Sequence, residues 1–318
     1  MSLGHPRFTY SKGLHALGNG LYAWLQPDGG WGWSNAGLIV DGDQSLLVDT
    51  LFDEPLTRDM LTAMRRAEPN AAGRIDMLVN THHNGDHCFG NACCEGAEII
   101  AHAKAREAMV HEGPERLAAL MRAAPQMGEA GAYLARIFGA FDFAGVRQAL
   151  PTTTFETEIT RTVGDKKVHV IHVGPAHTAG DALVHAPADR VVFTGDILFI
   201  EGHPIMWEGP VANWIAACER ILAMDVDTVV PGHGPITDKR GAASVRDYLV
   251  YLRDEARARF DGGMTAFDAA RDIDMRDYDA WSDGERIVVN VASLYREFSG
   301  ERTFGDAAEL FGQMAALA

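Results

Sequence analysis

Cysteine is scarce in this chain of 318 residues, which contains only four. Cys88, Cys93 and Cys94 are clustered and Cys218 stands apart, so no pair has the C-x-x-C spacing of a zinc-finger site. Such a set does not form a disulfide framework. We therefore expect reduced thiols in a cytoplasmic protein.

Long apolar runs are also missing. No window approaches 18 uninterrupted apolar residues, so no membrane span is expected. The N-terminal segment lacks a basic start followed by an apolar core, so a secretory signal is not expected either.

Positive charge is in short supply. The chain has 28 Lys and Arg against 44 Asp and Glu, which gives a formal net charge of −16. An acidic surface repels phosphate backbones, so a nucleic-acid partner is not expected. A small-molecule substrate held by a metal ion remains compatible with this charge.

Short apolar runs alternate with stretches of helical spacing along the chain. The runs predict strands, and the 3–4 residue spacing predicts helices. The predicted strands cover residues 21–25, 34–40, 45–49, 77–80, 99–101, 167–173, 182–186, 191–194 and 228–230, and the predicted helices cover 55–68, 88–95 and 213–224.

This alternation favours an α/β layered sandwich with sheets inside and helices outside. Residues 103–149 predict an all-helical insert, broken by Gly113-Pro114 and by Pro125. Residues 241–318 are mainly helical in pattern and form an extension packed on a core domain of residues 1–240. The C-terminal helices also offer a surface for a homodimer.

Four separated pieces place histidine or aspartate in a turn after a strand-like run. Loops at strand ends let a rigid sheet present side chains to one point. Imidazole and carboxylate together suit Zn²⁺ or Fe, and Mn²⁺ less well. The pieces are His82-x-Asn84-x-Asp86-His87, residues 174–181 with His177, residues 193–196 with Asp196, and residues 230–235 with His233.

Alternation within the first piece separates its side chains into two directions. In an extended loop His82 and Asn84 project to the same side, whereas His83 points the other way. Asp86 and His87 open the next helix and face a second metal position. His83 is therefore expected behind the ligands rather than among them.

In this order, the pieces resemble the metallo-β-lactamase superfamily, with its H-x-H-x-D-H loop, its later single His, its Asp in a T-G-D turn and its final G-H. The hairpin of residues 35–50 is similar too, and the resemblance spans about residues 20–237. It implies an αββα four-layer sandwich with a hydrolytic site for one or two metal ions.

The resemblance also implies a ligand set. His82, Asn84 and His177 would form the first site, Asp86, His87 and His233 the second, and Asp196 would bridge the two. Asn84 departs from the family's histidine, and an amide oxygen is a poorer zinc ligand than imidazole. We expect a first site that is weaker, empty or suited to a harder metal, with Zn²⁺ as the cofactor and Fe or Mn as alternatives.

A metal-activated water would then attack the substrate, oriented by Asp86 and Asp196 as catalytic residues. The expected activity is hydrolysis of a small ester, lactone, thioester or amide. Two alternatives stay open. One is an iron-dependent thiol or persulfide oxidoreductase on the same fold, and the other is a non-catalytic metal-binding scaffold.

Four further residues are candidates for the substrate pocket. Trp31 and Trp33 lie in a glycine-rich loop where they either cover an apolar substrate or anchor the loop to the core. Trp207 has the same two explanations. His203 follows the Asp196 turn and is equally a pocket residue or part of a plain loop. The helical insert is expected to act as a lid that sets specificity.

Overall fold

The computed structural model describes residues 2–27, 29–301 and 307–318. Its strands are β1 (Gly13–Gly18), β2 (Leu21–Leu25), β3 (Ala36–Asp41), β4 (Gln44–Val48), β5 (Met77–Val79), β6 (Glu98–His102), β7 (Thr153–Phe155), β8 (Glu158–Val163), β9 (Lys166–His172), β10 (Ala182–Ala186), β11 (Val191–Phe193) and β12 (Thr228–Val230). Its α-helices are α1 (Glu54–Ala67), α2 (Gly85–Cys88), α3 (Ala103–His111), α4 (Pro114–Ala123), α5 (Gly128–Phe138), α6 (Val211–Ala223), α7 (Lys239–Asp261), α8 (Ala266–Asp272), α9 (Ile287–Ser299) and α10 (Ala307–Ala315).

The strands form two sheets. The first sheet has the order β1-β2-β3-β4-β5-β6-β7, and the second has the order β12-β11-β10-β9-β8. Strands β1 to β4 pair antiparallel, and β4 to β7 pair parallel. In the second sheet only β11 and β12 are parallel to each other.

Four layers follow from the packing of these sheets. A core of Val, Leu, Ile and Phe side chains lies between the two sheets. Helix α1 covers the outer face of the first sheet. Helices α6 and α7 cover the second sheet, with α8 and α9 packed around them. The predicted αββα sandwich is confirmed.

Local chemistry explains how these layers form. The Asp53 carboxylate caps α1 by accepting the Leu56 N–H at 2.8 Å. Met60, Leu61 and Met64 form the buried face of the helix. Gly37 in β3 has no side chain because a Cβ there would overlap the Phe193 ring of the other sheet. This glycine sets the close approach of the two sheets.

The predicted insert is helical only in part. It contains α3, α4 and α5, but residues 139–149 form no helix, so the prediction of an all-helical segment to 149 is wrong. Leu134 and Phe138 of α5 are buried against Phe52 and Phe89. The C-terminal helix α10 packs on α5 through Phe311 and Tyr133. The domain boundaries remain a prediction.

Two other sequence-based predictions are corrected. The prediction of a helix over residues 88–95 is wrong, because α2 ends at Cys88 and only a short 3₁₀ turn follows at Asn91–Cys93. Gly90 accounts for the break, since the chain there passes so close to Thr57 that a Cβ would overlap it. Strands β1, β7 and β8 were not predicted. β8 is half exposed and polar, and β7 has three residues, so neither gives a long apolar run.

Among the residues that the structure describes, no helix is both long and apolar enough to cross a membrane.

Candidate metal centre

The four predicted loops lie at the carboxyl ends of strands. Residues 81–87 follow β5 of the first sheet, whereas residues 174–181 follow β9 of the second. The Asp196 turn follows β11, and His233 follows β12. The two sheets therefore both contribute loops to the same end of the sandwich.

These loops bring six side chains into two groups. His82, His177 and Asp196 form the first group, and they are all buried. Oδ2 of Asp196 lies 3.7 Å from Nε2 of His82 and 3.4 Å from Nε2 of His177. This group combines one side chain from the first sheet with two from the second.

Asp86, His87 and His233 form the second group. Oδ2 of Asp86 lies 3.8 Å from Nε2 of His87 and 3.2 Å from Nε2 of His233. Asp196 also reaches this group, with its Oδ1 3.0 Å from His87 Nε2 and its Oδ2 3.5 Å from His233 Nε2. Asp196 thus lies between the groups, where the resemblance expects a bridging ligand.

The outer nitrogens of two imidazoles fix their tautomers. Nδ1 of His177 lies 2.6 Å from the Ile205 carbonyl oxygen. Nδ1 of His233 lies 3.0 Å from the Gly29 carbonyl oxygen. A carbonyl oxygen can only accept, so both Nδ1 atoms carry a proton. Each neutral ring then presents an Nε2 lone pair to the centre.

Asp49 orders the other two imidazoles. Its Oδ2 accepts from Nδ1 of His87 at 3.0 Å and from the Thr81 hydroxyl at 2.7 Å. Because that hydroxyl has given its proton to Asp49, it accepts from Nδ1 of His82 at 3.0 Å. All four imidazoles are therefore held with Nδ1–H outward and Nε2 inward.

Three of the inward atoms have no hydrogen-bond partner among the described residues. Nε2 of His82, Nε2 of His87 and Oδ1 of Asp196 are buried without a hydrogen bond among the described residues. Buried polar groups without partners are rare, and here several lone pairs face one another. Imidazole nitrogens with carboxylate oxygens are a common donor set for zinc. The residues fit one or two metal ions.

Protons compete with a metal for this centre. Burial disfavours charge on His233, but Asp196 and Asp86 outweigh it and raise the pKa of His233 to about 9. The pKa of His87 is also raised well above its usual value, because Asp196 and Asp86 outweigh burial. Burial lowers the pKa of His177 to about 4. Metal binding would therefore displace protons mainly from the second group.

Two glycines make room for these contacts. A Cβ on Gly232 would overlap Oδ1 of Asp196. Gly195 has a φ of +49°, and a Cβ there would overlap the Thr81 hydroxyl. The turn at Asp196 and the backbone before His233 can approach this closely only because neither position has a side chain.

Asn84 lies with the first group, on the same side as His82. Its Oδ1 is 2.7 Å from Nε2 of His177. His177 donates from Nδ1, so its Nε2 in the neutral ring is an acceptor. Two acceptors at this distance require a cation between them, or an amide turned so that its NH₂ donates to His177.

His83 points away from both groups. Its Nε2 lies 3.6 Å from Oε2 of Glu112, at the end of α3. Its backbone carbonyl accepts from the Cys88 thiol at 3.2 Å. The side chain thus faces the helical insert, on the side that strand-like alternation predicts.

The loop of residues 29–35 borders the second group. The Ser34 hydroxyl donates to the Asp86 carbonyl oxygen at 2.5 Å, and Asn35 Nδ2 donates to the Pro231 carbonyl oxygen at 3.0 Å. Trp31 and Trp33 directly precede these anchors in the loop and are half-buried. Trp33 packs on Phe141 with ring centres 4.8 Å apart.

Trp207 and His203 have different positions. The backbone N–H of Trp207 donates to the His177 carbonyl oxygen at 3.1 Å, which places this half-buried residue beside the first group. His203 is only 1% exposed. Its ring nitrogens bond to the Tyr248 hydroxyl at 3.1 Å and to the Tyr278 carbonyl oxygen at 3.0 Å. His203 is therefore bonded to residues of the C-terminal region, and its place in the substrate pocket stays a prediction.

Asp49 orients two of the imidazoles, and this role was not predicted from the sequence. It follows the apolar run of β4, has a φ of +62° and is 2% exposed. Burial raises the pKa of its carboxyl, although His87 opposes the shift. One feature of the sequence could have indicated this role. Asp49 is a charged residue that directly follows a buried strand, at the same end of the sheet as the His82 loop.

The sequence of this chain is similar to those of known proteins. The profile of the Metallo-beta-lactamase superfamily matches residues 29–233. A hydroxyacylglutathione hydrolase of Rhizobium meliloti (strain 1021) is 26% identical over 221 residues, which cover 68% of this chain and 70% of the relative. One from Brucella ovis is 27% identical over 199 residues, which cover 62% of this chain and 60% of the relative.

Solved structures show the same fold. A sec-alkylsulfatase from a Pseudomonas species has a TM-score of 0.69 at 18% identity, covering 94% of this chain, which spans about half (52%) of that protein. A metallo-beta-lactamase from Pontibacter korlensis has a TM-score of 0.55 at 17% identity, covering 74% of this chain and 98% of that protein. The predicted enzyme class, metallo-hydrolase, is confirmed at the level of the family. The profile match, the αββα sandwich and the position of the histidine and aspartate loops show that the chain belongs to the metallo-β-lactamase superfamily.

Proposed function

We propose that this protein is a metal-dependent hydrolase of small esters and thioesters. The observation that carries the proposal is the orientation of four imidazoles, each anchored at Nδ1 and each directing Nε2 toward Asp86 and Asp196. Such an arrangement is suited to binding a metal ion and has no evident use in packing alone.

The ligand assignment follows the two groups. Asp86, His87 and His233 would hold one ion, and His82, Asn84 and His177 would hold another, with Asp196 between them. Zinc is the metal that this donor set favours, and Fe or Mn would also be accepted. A bound ion would lower the pKa of a water toward neutrality and polarise a substrate carbonyl.

Asp86 is the more accessible of the two proposed catalytic carboxylates. Its side chain is 13% exposed, compared with 5% for Asp196. Asp86 is therefore the carboxylate that solvent reaches more easily, and its second carboxylate oxygen would orient the attacking water and take its proton. Asp196 is enclosed by histidines and fixes the spacing between the groups.

Leaving-group chemistry narrows the substrate class. A thiol has an ordinary pKa of about 8.5, so a thiolate departs without prior protonation. An amine must be protonated before it leaves, which asks for an additional acid. The similarity to hydroxyacylglutathione hydrolases points the same way, because an acyl group on the thiol of glutathione is a thioester. We therefore place thioesters and activated esters ahead of lactones and amides.

Metal analysis with a hydrolysis assay tests the proposal. Purified protein should contain at least one equivalent of zinc and should hydrolyse S-lactoylglutathione or 4-nitrophenyl acetate. A chelator should abolish the rate, and Zn²⁺ should restore it. Asp86→Asn should lose at least a hundredfold in kcat even when zinc is present in excess. Bound iron with oxygen consumption in the presence of a thiol would instead favour the oxidoreductase. Protein that binds zinc but hydrolyses neither substrate would favour the non-catalytic metal-binding scaffold.

A further inference from the structure

Arg286 is a buried cation outside the segment that matches the family. It lies in the 3₁₀ turn before α9 and is 2% exposed. Nη1 donates to the His203 carbonyl oxygen at 2.9 Å, and Nη2 lies 3.2 Å from Oδ2 of Asp283. Its Nε is buried and has no hydrogen bond among the described residues. One carboxylate and one carbonyl therefore leave this guanidinium incompletely paired.

Two aromatic rings contact the guanidinium. Its central carbon lies 4.6 Å from the Trp31 ring centre and 5.2 Å from the Phe199 ring centre. Phe199 in turn stacks on the His233 imidazole, with ring centres 5.0 Å apart and planes within 6°. Arg286 is thus separated from a proposed metal ligand by one ring.

Glu285 reaches the same ligand by a second route. Its Oε1 accepts from Trp31 Nε1 at 3.2 Å and from the Tyr133 hydroxyl at 2.9 Å. Trp31 belongs to the loop whose Gly29 carbonyl accepts from His233 Nδ1 at 3.0 Å. Arg286 contacts the ring that stacks on His233, and Glu285 bonds to the loop that accepts the His233 hydrogen bond. Two adjacent residues, 285 and 286, therefore support both contacts of His233.

Stability alone does not account for this arginine. Removing a charge from water is unfavourable, and apolar residues of similar volume often replace buried ion pairs without loss of stability. A planar guanidinium that lies against two flat rings fixes their orientation as an apolar side chain would not. We propose that Arg286, together with Glu285, is a positioning residue that orients His233 for the second metal group.

This inference rests on the proposed function, because it concerns a ligand of the proposed metal. Groups behind a metal-ligating histidine typically contribute 10-fold to 100-fold to metal affinity. Arg286→Met should therefore weaken zinc binding to the second group about tenfold, measured by competition with a chromophoric chelator. Arg286→Lys keeps the charge but loses the planar group, so it should recover only part of the affinity.

Arg259→Met is the matched control. Arg259 lies in the same C-terminal region, bonds to Glu255 and Asp272 and is 17% exposed, and its side-chain bonding partners among the described residues include none of Trp31, Phe199 and His233. Its substitution should lower the melting temperature and leave zinc affinity unchanged. A merely structural role for Arg286 would give that same result.

A readout without metal separates positioning from ligation. In metal-free protein, the His233 Nδ1–H should give a protected ring-proton NMR signal, and this signal should broaden or exchange faster in Arg286→Met. If Arg286→Met fails to fold, Phe199→Leu and Glu285→Ala test the two routes separately. Each should weaken zinc binding.

The outcomes distinguish the two proposals. Wild-type protein that binds no zinc would overturn the proposed function. Wild-type protein that binds zinc, with unchanged affinity in Arg286→Met, or in both Phe199→Leu and Glu285→Ala, would overturn the positioning role alone.

Discussion

Oδ1 of Asn84 lies 2.7 Å from Nε2 of His177, while Nδ1 of the same imidazole donates to the Ile205 carbonyl oxygen at 2.6 Å. The inward nitrogen is therefore an acceptor that faces an amide. If the amide turns, its NH₂ satisfies His177 and removes that nitrogen from the metal. The first group can thus satisfy His177 without an ion, although Nε2 of His82 still lacks a hydrogen bond, whereas the second group satisfies its polar atoms by taking up protons.

Asn84→His should convert the first group into a stronger metal site. A neutral imidazole that directs its bare Nε2 to the centre has no donor at that position for His177, so the competing hydrogen bond is lost. We expect the second equivalent of zinc to bind at least tenfold more tightly, measured by chelator competition. Tight binding of two equivalents by the parent, unchanged by the substitution, would contradict this account of Asn84.

Asp49→Asn should weaken metal binding without removing any ligand. The amide keeps the size of the carboxylate but cannot accept from both His87 Nδ1 and the Thr81 hydroxyl on one charged oxygen. We expect a loss of 10-fold to 100-fold in zinc affinity. Asp53→Asn is the control, because Asp53 is an equally buried carboxylate that caps α1. Because asparagine is about as good an N-cap as aspartate, it should change the free energy of unfolding by less than about 1 kcal/mol and leave zinc affinity unchanged.

Gly232→Ala should disrupt the centre by a steric route. The new methyl group would overlap Oδ1 of Asp196, so the aspartate must move out of its place between the two groups. We expect zinc content to fall below half an equivalent by elemental analysis. Gly312→Ala provides the comparison, because a Cβ at that helical position meets nothing within 4 Å. Normal zinc content in both variants would show that the overlap is relieved elsewhere.

Zinc binding should release protons. In metal-free protein, burial opposes a charge on His233, but Asp196 and Asp86 outweigh it and raise its pKa to about 9. The ring therefore carries a proton at pH 7 that zinc must displace, and it carries none well above pH 9. Apparent zinc affinity should rise between pH 7 and pH 9 and then level off. Calorimetry in buffers of different ionisation enthalpy measures the released protons, and no release at pH 7 would contradict the prediction.

Phe138→Ala should destabilise the whole protein. Phe138 of α5 contacts Phe52, which packs against Gly85 of the metal loop, so the insert is continuous with the core. Truncating a buried phenylalanine typically costs about 3–5 kcal/mol. Urea unfolding should show one cooperative transition at a lower midpoint. A separate early transition for the insert would favour an independent lid, which is the role expected from the sequence.

The parts of the fold that give long local signals were predictable. The buried runs of β2, β10 and β12 and the helical spacing of α1 were placed within a residue or two. The half-exposed β8 and the short β7 were missed, because pairing to neighbouring strands, rather than local hydrophobicity, defines them. The break at Gly90 depends on Thr57, which is distant in sequence.

The candidate metal centre also has parts that the sequence predicts and parts that it does not. The histidine and aspartate positions were recognisable because their spacing is local to each loop. The role of Asp49 was not, since its partners His87 and Thr81 come together only in the folded chain. His203 was ambiguous for the same reason, because its partners Tyr248 and Tyr278 belong to the C-terminal helices. The position of the Trp31 ring could not be predicted either, because its indole N–H donates to Glu285, which lies 254 positions away.

Each metal group draws side chains from loops of both sheets. Neither sheet alone can therefore assemble a complete group, and a chain that has folded only one half offers incomplete chelation. Metal ions should thus select for the fully assembled sandwich instead of nucleating either half. The cell's metal supply would then act as a check on assembly, since free metal stabilises only molecules in which the two sheets have met.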